Sequence, residues 1–356
     1  MAERGLLFDI EHRGHRYVSL APIVVGFWEF TFMRVRPDMP LKELAHLFEK
    51  YFFENNCLVP DRGKTQRFRS FVREEAIPEY DHAEVLDWER VTHIVSSASA
   101  VSVGICQCYH TAQHLGQACD RPVETCLTFN YAAKSLIQNG IARAITKHEA
   151  IDILEKCKKK GLAQIGDNVQ RKVTFICNCC GCCCYIMKTL KNLDLHPGIV
   201  TSNWIVDINF EQCNGCAECA TACPVDAIHI DRKKEGDKTI KRAILAEDAC
   251  LGCGVCITKC NTGALQMKSR QQRVLVPETI FDRTVAMAIE QGKLSNLLFD
   301  NPGKLSHRAI RRLAILFETS PLFKAAMARE SIKSTFLNFI VKNAKKDAGD
   351  LTELIT

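Results

Sequence analysis

Residues 213–260 read CNGCAECATACPVDAIHIDRKKEGDKTIKRAILAEDACLGCGVCITKC, and the rest of the chain is read outward from them. The stretch contains Cys213-x2-Cys216-x2-Cys219-x3-Cys223-Pro224 and then Cys250-x2-Cys253-x2-Cys256-x3-Cys260, two runs offset by 37 residues. Gly215 matches Gly252, and Ala227-Ile228 matches Ala264-Leu265. A [4Fe–4S] cube needs one thiolate on each iron. Three cysteines at x2 spacing reach three corners of one cube, and the fourth, three residues on, points to the other cluster. The spacing therefore assigns one cube to Cys213, Cys216, Cys219 and Cys260, and a second to Cys250, Cys253, Cys256 and Cys223. Gly215, Gly252 and Gly254 let the loops wrap close enough for backbone amides to reach the sulfurs. Asn261 stands where a second proline would follow the repeat.

This internally repeated eight-cysteine pattern is the signature of a two-cluster bacterial ferredoxin. Zinc is the competing reading, because paired Cys-x2-Cys motifs also build zinc ribbons. A ribbon uses four cysteines in two pairs, which two three-plus-one runs fit poorly.

A chain of 356 residues predicts two or three domains, and 47% hydrophobic residues suffice for real cores. Of the 20 cysteines, all but Cys57 and Cys157 fall into three groups. Glu3, Asp9 and Glu11 precede any apolar stretch, so no secretory signal is read. Reduced thiolates holding metal in a cytoplasm are expected rather than a disulfide scaffold. The oxygen sensitivity of such clusters implies an anaerobic or microaerobic setting. The longest apolar stretch, Val18 to Met33, contains Glu29 and is too short to span a bilayer. A net charge of +6 does not by itself imply nucleic acid.

Residues 1–100 read as a mixed region. Trp28, Phe30 and Phe32 alternate as a half-buried strand would. Leu41 to Asn55 reads as a helix starting after Pro40. Asp61 to Arg73 contains Arg62, Lys64, Arg67, Arg69 and Arg73 and reads as a solvated loop and strand edge, with an acidic or nucleic-acid partner as the sharper alternative. Asp81-His-Ala-Glu84 resembles a capping box for a helix to about Ser97. Helix, basic strand, helix is winged-helix-like in order alone.

The second cysteine group follows a strand at Ala100 to Ile105: Cys106, Cys108, Cys119 and Cys126, spaced C-x-C-x10-C-x6-C. Four thiols in this spacing suffice for one cube or one zinc, and both stay open. His110 and His114 are read as surface histidines rather than ligands. Residues 127–166 read as helical, with a capping box at Thr146 and Glu149 and a helix stop at Gly161. Cys157 is read as a helix cysteine without a metal role.

The third group, Cys177-Asn-Cys179-Cys180-Gly-Cys182-Cys183-Cys184, places six cysteines in eight residues between a strand at Val173–Ile176 and a helix at Ile186–Leu193. Neighbouring side chains diverge, so all six cannot serve one cube. They complete a cluster begun by the Cys106 group, form their own, or act as a reactive dithiol. Beyond Lys268, residues 277–292 and 305–346 are helical by period. Residues 301–346 carry ten Lys/Arg against Glu318 and Glu330, a basic surface suited to an anionic membrane or an acidic protein.

The stretches Ile105 to Phe129 (ICQC…CDRPVETCLTF) and Ile176 to Cys184 (ICNCCGCCC), with the two ferredoxin runs, resemble a family of multi-cluster 4Fe–4S dicluster-domain proteins of anaerobic bacteria and archaea. The likeness covers about two thirds of the chain and extends upstream to Pro22–Phe30. Members usually carry a basic residue after the second cysteine of the first group, where Tyr109 stands here. The helical tail lies outside the likeness.

The expected fold is α+β and multi-domain: a mixed region at 1–100, a cysteine-rich α/β domain at 101–200 and a two-cluster ferredoxin-like domain at 201–270. A basic helical extension occupies 271–356. The region before the ferredoxin domain is expected to be mostly helical. The expected function is electron relay within a larger redox system, exchanging electrons with protein partners. No G-x-G-x-x-G or G-x4-G-K-[ST] marks a nucleotide or flavin site, and no catalytic residue is assigned. The alternatives are an oxidoreductase whose active site is the Cys177–Cys184 run, and a redox-sensing regulator binding nucleic acid through Arg62–Arg73.

Overall fold

Alternating residues in Leu7–His12 (β1) and His15–Leu20 (β2) pair as an antiparallel hairpin. It turns at Arg13 and Gly14, both at positive φ (49° and 75°), as a two-residue hairpin turn requires. The computed structural model that shows this describes residues 1–293 except 22, 55–64, 80, 82–84, 193–198, 236–237, 272, 275 and 292.

The chain continues through a π-helical turn at Ile23–Phe27 into the helix Trp28–Phe32 (α1). The alternation of Trp28, Phe30 and Phe32 does not mark a strand. Glu29 and Thr31 between them are also buried, and a helix enclosed on every side shows no polar stripe to betray its period. Leu41–Glu54 (α2) is the expected amphipathic helix, burying Leu41, Ala45, Phe48 and Phe52. After Phe68–Phe71 (β3), the helix Val91–Ser97 (α3) starts later than the capping-box reading, behind a 3-10 turn at Asp87–Glu89. His82–Glu84 lie outside the described residues.

Next come Val101–Ile105 (β4), Gln107–His114 (α4), Glu124–Phe129 (β5), Asn130–Gln138 (α5), Arg143–Ala144 (β6), Lys147–Lys159 (α6), Ala163–Asp167 (β7), Phe175–Cys179 (β8), Tyr185–Asn192 (α7) and Ile199–Val200 (β9). These six strands and β3 form one sheet in the order β6-β4-β5-β8-β7-β3-β9, antiparallel except for the β3–β9 pair. The region before residue 200 is therefore built on a sheet and is not mostly helical. Buried strands such as β5 and β7 lack polar alternation, so by pattern they merged into the helices α5 and α6 beside them. Thr146 caps α6 as expected, its hydroxyl accepting from the Glu149 amide at 3.1 Å.

The sheet's two faces differ. Val103, Leu127 and Ile176 belong to a core shared with Val91 and Ile94 of α3 and Leu154 of α6. The alternate positions of β5 and β8 (Cys126, Thr128, Phe175, Cys177 and Cys179) line a cavity of about 780 Å³ on the other face. A second core joins Trp28, Phe48, Phe52 and Tyr185 to Trp204, Leu251, Val255 and Met267. It thereby joins the sheet region to the segment holding Trp204–Ile208 (β10), Glu218–Ala222 (α8), Ile228–Glu235 (β11), Lys238–Leu245 (β12) and Leu265–Ser269 (β13). There β10 pairs antiparallel with β13, and β11 with β12.

The basic stretch does not behave as a solvated loop where it is described. Arg69 is buried between the rings of Phe71 and Trp88, 4.6 and 4.5 Å from their centroids. Arg73 is buried and donates to the carbonyls of Lys158 (2.9 Å) and Leu162 (3.2 Å) and to Thr258 Oγ1 (3.0 Å). Guanidinium stems and forks suit such bridging. Arg62 and Lys64 lie outside the described residues. The last described helix, Ile280–Glu290 (α9), is capped by Thr279 and tied to the sheet by Arg283, which bonds Asp167 at 3.1 Å. The expected helix at 305–346 falls outside the described residues. No helix among the described residues is long and apolar enough to cross a membrane.

Candidate metal centres

The eight cysteines of the repeat separate into two sets. Cys213, Cys216, Cys219 and Cys260 line one small cavity, while Cys223, Cys250, Cys253 and Cys256 line another. In each set three thiols come from one run and the fourth from the other, the exchange that the x3 step demands. Gly215 and Gly252 sit at matching points of the repeat with φ of +67° and +64°. A Cβ at Gly215 would lie 2.4 Å from the Lys241 carbonyl oxygen, and one at Gly252 2.0 Å from that of Trp204. Left-handed backbone and close approach both require glycine there. Backbone amides reach the sulfurs: Ala243 to Cys213 (3.4 Å), Ala227 to Cys223 (3.2 Å) and Gly252 to Cys250 (3.4 Å).

The two quartets sit in different surroundings. Cys216 is exposed, and Cys213 and Cys260 are half-buried; Cys250, Cys253 and Cys256 are all buried. Burial pushes the Cys253 thiol up to about 12 and raises Cys256 further, while the buried Arg73 cation works against the shift at Cys253. The Arg73 amide also donates to the Cys253 carbonyl at 3.1 Å. The inner quartet is therefore held against the sheet by the same residue that brings it a positive charge.

The ten upstream cysteines do not group by sequence. Cys106 and Cys108 open α4, Cys126 lies in β5, Cys177 and Cys179 share one face of β8, and Cys184 precedes α7. These six line the large cavity. Their sulfurs are neighbours in the succession Cys106–Cys108–Cys184–Cys179–Cys177–Cys126. Thiols donating to Cys106, Cys184 and Cys177 lower those three, Cys177 to about 5. The donors Cys108, Cys179 and Cys126 are raised by the same bonds and by burial.

Cys119, Cys180, Cys182 and Cys183 form a separate set, with all four sulfurs within 4.8 Å of one another. Cys119 lies in the α4–β5 connection and the other three in the β8–α7 turn. The C-x-C-x10-C-x6-C group is thus divided, Cys119 leaving Cys106, Cys108 and Cys126 to join the third group. The turn also packs on the residue after Cys223 of the inner quartet, since a Cβ at Gly181 would lie 2.7 Å from the carbonyl oxygen of Pro224.

Sequence reasoning missed two charged residues here. Arg121 is buried, donates to Cys180 Sγ at 3.5 Å and Thr125 Oγ1 at 3.1 Å, and stacks 5.6 Å from the Tyr109 ring. Burial opposes its charge, but the neighbouring sulfurs of Cys106, Cys180 and Cys179 more than offset that. Its position between Cys119 and Cys126 was the available signal. Glu29 lines the large cavity, where burial pushes its carboxyl up to about 7 although the Gly26 amide donates to it at 2.6 Å. A lone carboxylate in an apolar run was the signal there. His110 is buried rather than at the surface, its Nδ1 2.8 Å from the Phe32 carbonyl oxygen and its Nε2 3.2 Å from that of His114. Cys157 is a fully buried thiol on α6, raised to about 12 by burial.

The model of the 4Fe–4S dicluster domain family matches residues 212–264. No curated protein and no solved structure matches the chain. The matched segment contains both runs of the repeat, so residues 212–264 are similar to 4Fe–4S dicluster domains and form an iron–sulfur, metal-binding segment.

Proposed function

We propose that the chain is an electron-transfer protein with two [4Fe–4S] clusters in the repeat and further metal upstream, relaying electrons between protein partners in a cytoplasmic, anaerobic redox system. The observation that carries this reading is the contact of Gly181, between Cys180 and Cys182, with Pro224, next to Cys223 of the inner quartet. It sets the Cys180–Cys183 turn beside the inner quartet, which shares its two cysteine runs with the outer one. The exposed Cys216 marks the end open to a partner. Cluster potentials follow burial, charge and hydrogen bonds to sulfur, and the two quartets differ in the first two. The test is iron, acid-labile sulfide and zinc per chain on protein prepared without oxygen. About eight irons fit the repeat alone, and about twelve or more place a cluster upstream. Zinc without iron removes the reading.

A second reading, an oxidoreductase active at the upstream thiols, is favoured by the cavity. Its volume of about 780 Å³ is that of a small-molecule site, and six cysteines, Glu29 and aromatic side chains such as Trp28 and Phe68 line it. Cys177→Ser and Cys184→Ser then abolish turnover while the signals of the repeat's clusters persist. Turnover that survives both substitutions ends this reading.

A further inference from the structure

We propose that Cys119, Cys180, Cys182 and Cys183 bind one tetrahedrally coordinated divalent metal ion of the zinc class, not an iron–sulfur cluster. It stands whether or not the chain relays electrons, and it makes this set structural, leaving the thiols of the large cavity as the upstream redox site.

Sulfur spacing carries the argument. Four thiolates about 2.3 Å from one metal in a tetrahedron stand about 3.8 Å apart. Here Cys119 and Cys180 sulfurs are 3.8 Å apart, Cys182 and Cys183 3.8 Å, and Cys119 and Cys183 3.5 Å. In a cube each thiolate sits on a different iron, at a separate corner, so the sulfurs stand wider. The two ferredoxin quartets provide that comparison within the same molecule. Among the described residues, Cys119, Cys180, Cys182 and Cys183 are the one set of three or more cysteine, histidine or acidic side chains whose ligand atoms all fall within 4.8 Å.

Adjacent cysteines contribute in opposite ways. Cys182 and Cys183 turn their sulfurs toward each other, whereas Cys184 faces the large cavity. The turn at Gly181 makes the first convergence available, and the start of α7 enforces the second divergence. A tetrathiolate around a divalent ion carries a net charge of −2, which needs donors around it. Two are present at Cys180 Sγ: the Cys183 amide at 3.3 Å and Arg121 at 3.5 Å. Cys182 is exposed, so a metal can enter from solvent. Filled, the site staples the α4–β5 connection to the β8–α7 turn across 61 residues of sequence.

The test uses the full chain prepared without oxygen, with metals counted by mass spectrometry and coordination read by X-ray absorption at the zinc and iron edges. The expected wild-type result is about one zinc per chain with a pure sulfur shell near 2.3 Å. The double variant Cys119→Ser/Cys182→Ser loses that zinc at least tenfold under a chelator and keeps its iron. Loss of a single iron with no change in iron–iron scattering also supports the proposal, with iron as the ion. Loss of about four irons together overturns it in favour of a cube. Wild-type protein without zinc, in which all iron shows iron–iron scattering, overturns it whether or not the variant folds.

Discussion

The repeat at 213–260 and the ten cysteines at 106–184 use the same residue to reach different organisations. In the repeat, ligands lie close in sequence, each loop presents three thiols, and glycines at positive φ let the backbone close around them. Upstream, partners are far apart, Cys119 and Cys183 by 64 residues, and neighbours part company: Cys183 and Cys184 go to different sites, as do Cys119 and Cys126. The comparison teaches that a local loop writes its ligand set into spacing, while a site assembled on a sheet writes it into strand order.

Removing a crossed ligand breaks the comparison most severely. Cys223→Ser lies in the first run but belongs to the inner quartet, so it should cost about four irons from the cube otherwise served by the second run. Iron analysis and low-temperature electron paramagnetic resonance of the reduced protein check this. Loss of the outer cube's signal instead would disprove the exchange. Gly252→Ala follows. It forces a side chain into left-handed backbone and against the Trp204 carbonyl, and should cost about 3 kcal/mol or more, read by thermal unfolding and iron retention.

Glu29 sharpens the upstream half. Its folded carboxyl is raised from 4.5 to about 7, so the native state holds a proton that the unfolded chain releases. The group is neutral toward stability below the unfolded value, and stability is lost as pH rises from about 4.5 through 7. Glu29→Gln should therefore match wild type near pH 4.5 and exceed it at pH 8 by on the order of 3 kcal/mol. Denaturant midpoints across pH measure the difference, and a pH-independent gap would refute it. The smallest effect concerns Arg73. Replacing its buried charge by Arg73→Met should lower the inner cube's midpoint potential by on the order of 50 mV and leave the outer cube's unchanged, as read by potentiometric titration. Equal shifts at both cubes would show that the cation does not discriminate between them.

Legibility followed the range of the interactions. The cysteine spacing within each run, α2 and the Thr146 cap were readable because each rests on residues within a few positions of one another. The sheet was less readable, since β5 and β7 are buried and carry no polar alternation, and α1 was mistaken for a strand because it is enclosed on all sides. Arg69 and Arg73 read as solvated because nothing local announces Trp88, Phe71 or the Leu162 carbonyl as partners.

By itself, then, the sequence determined the repeat, the spacing of its eight cysteines and the abundance of thiols upstream. Three-residue steps and glycine positions constrain a loop without outside help. Only the tertiary structure decided how those upstream thiols divide. The order of β5, β8 and β7 places Cys126, Cys177 and Cys179 on one sheet face, and the turn at Gly181 carries Cys180, Cys182 and Cys183 to Cys119. Such pairings depend on which strands lie side by side, and strand adjacency arises from packing across the whole fold rather than from spacing along the chain.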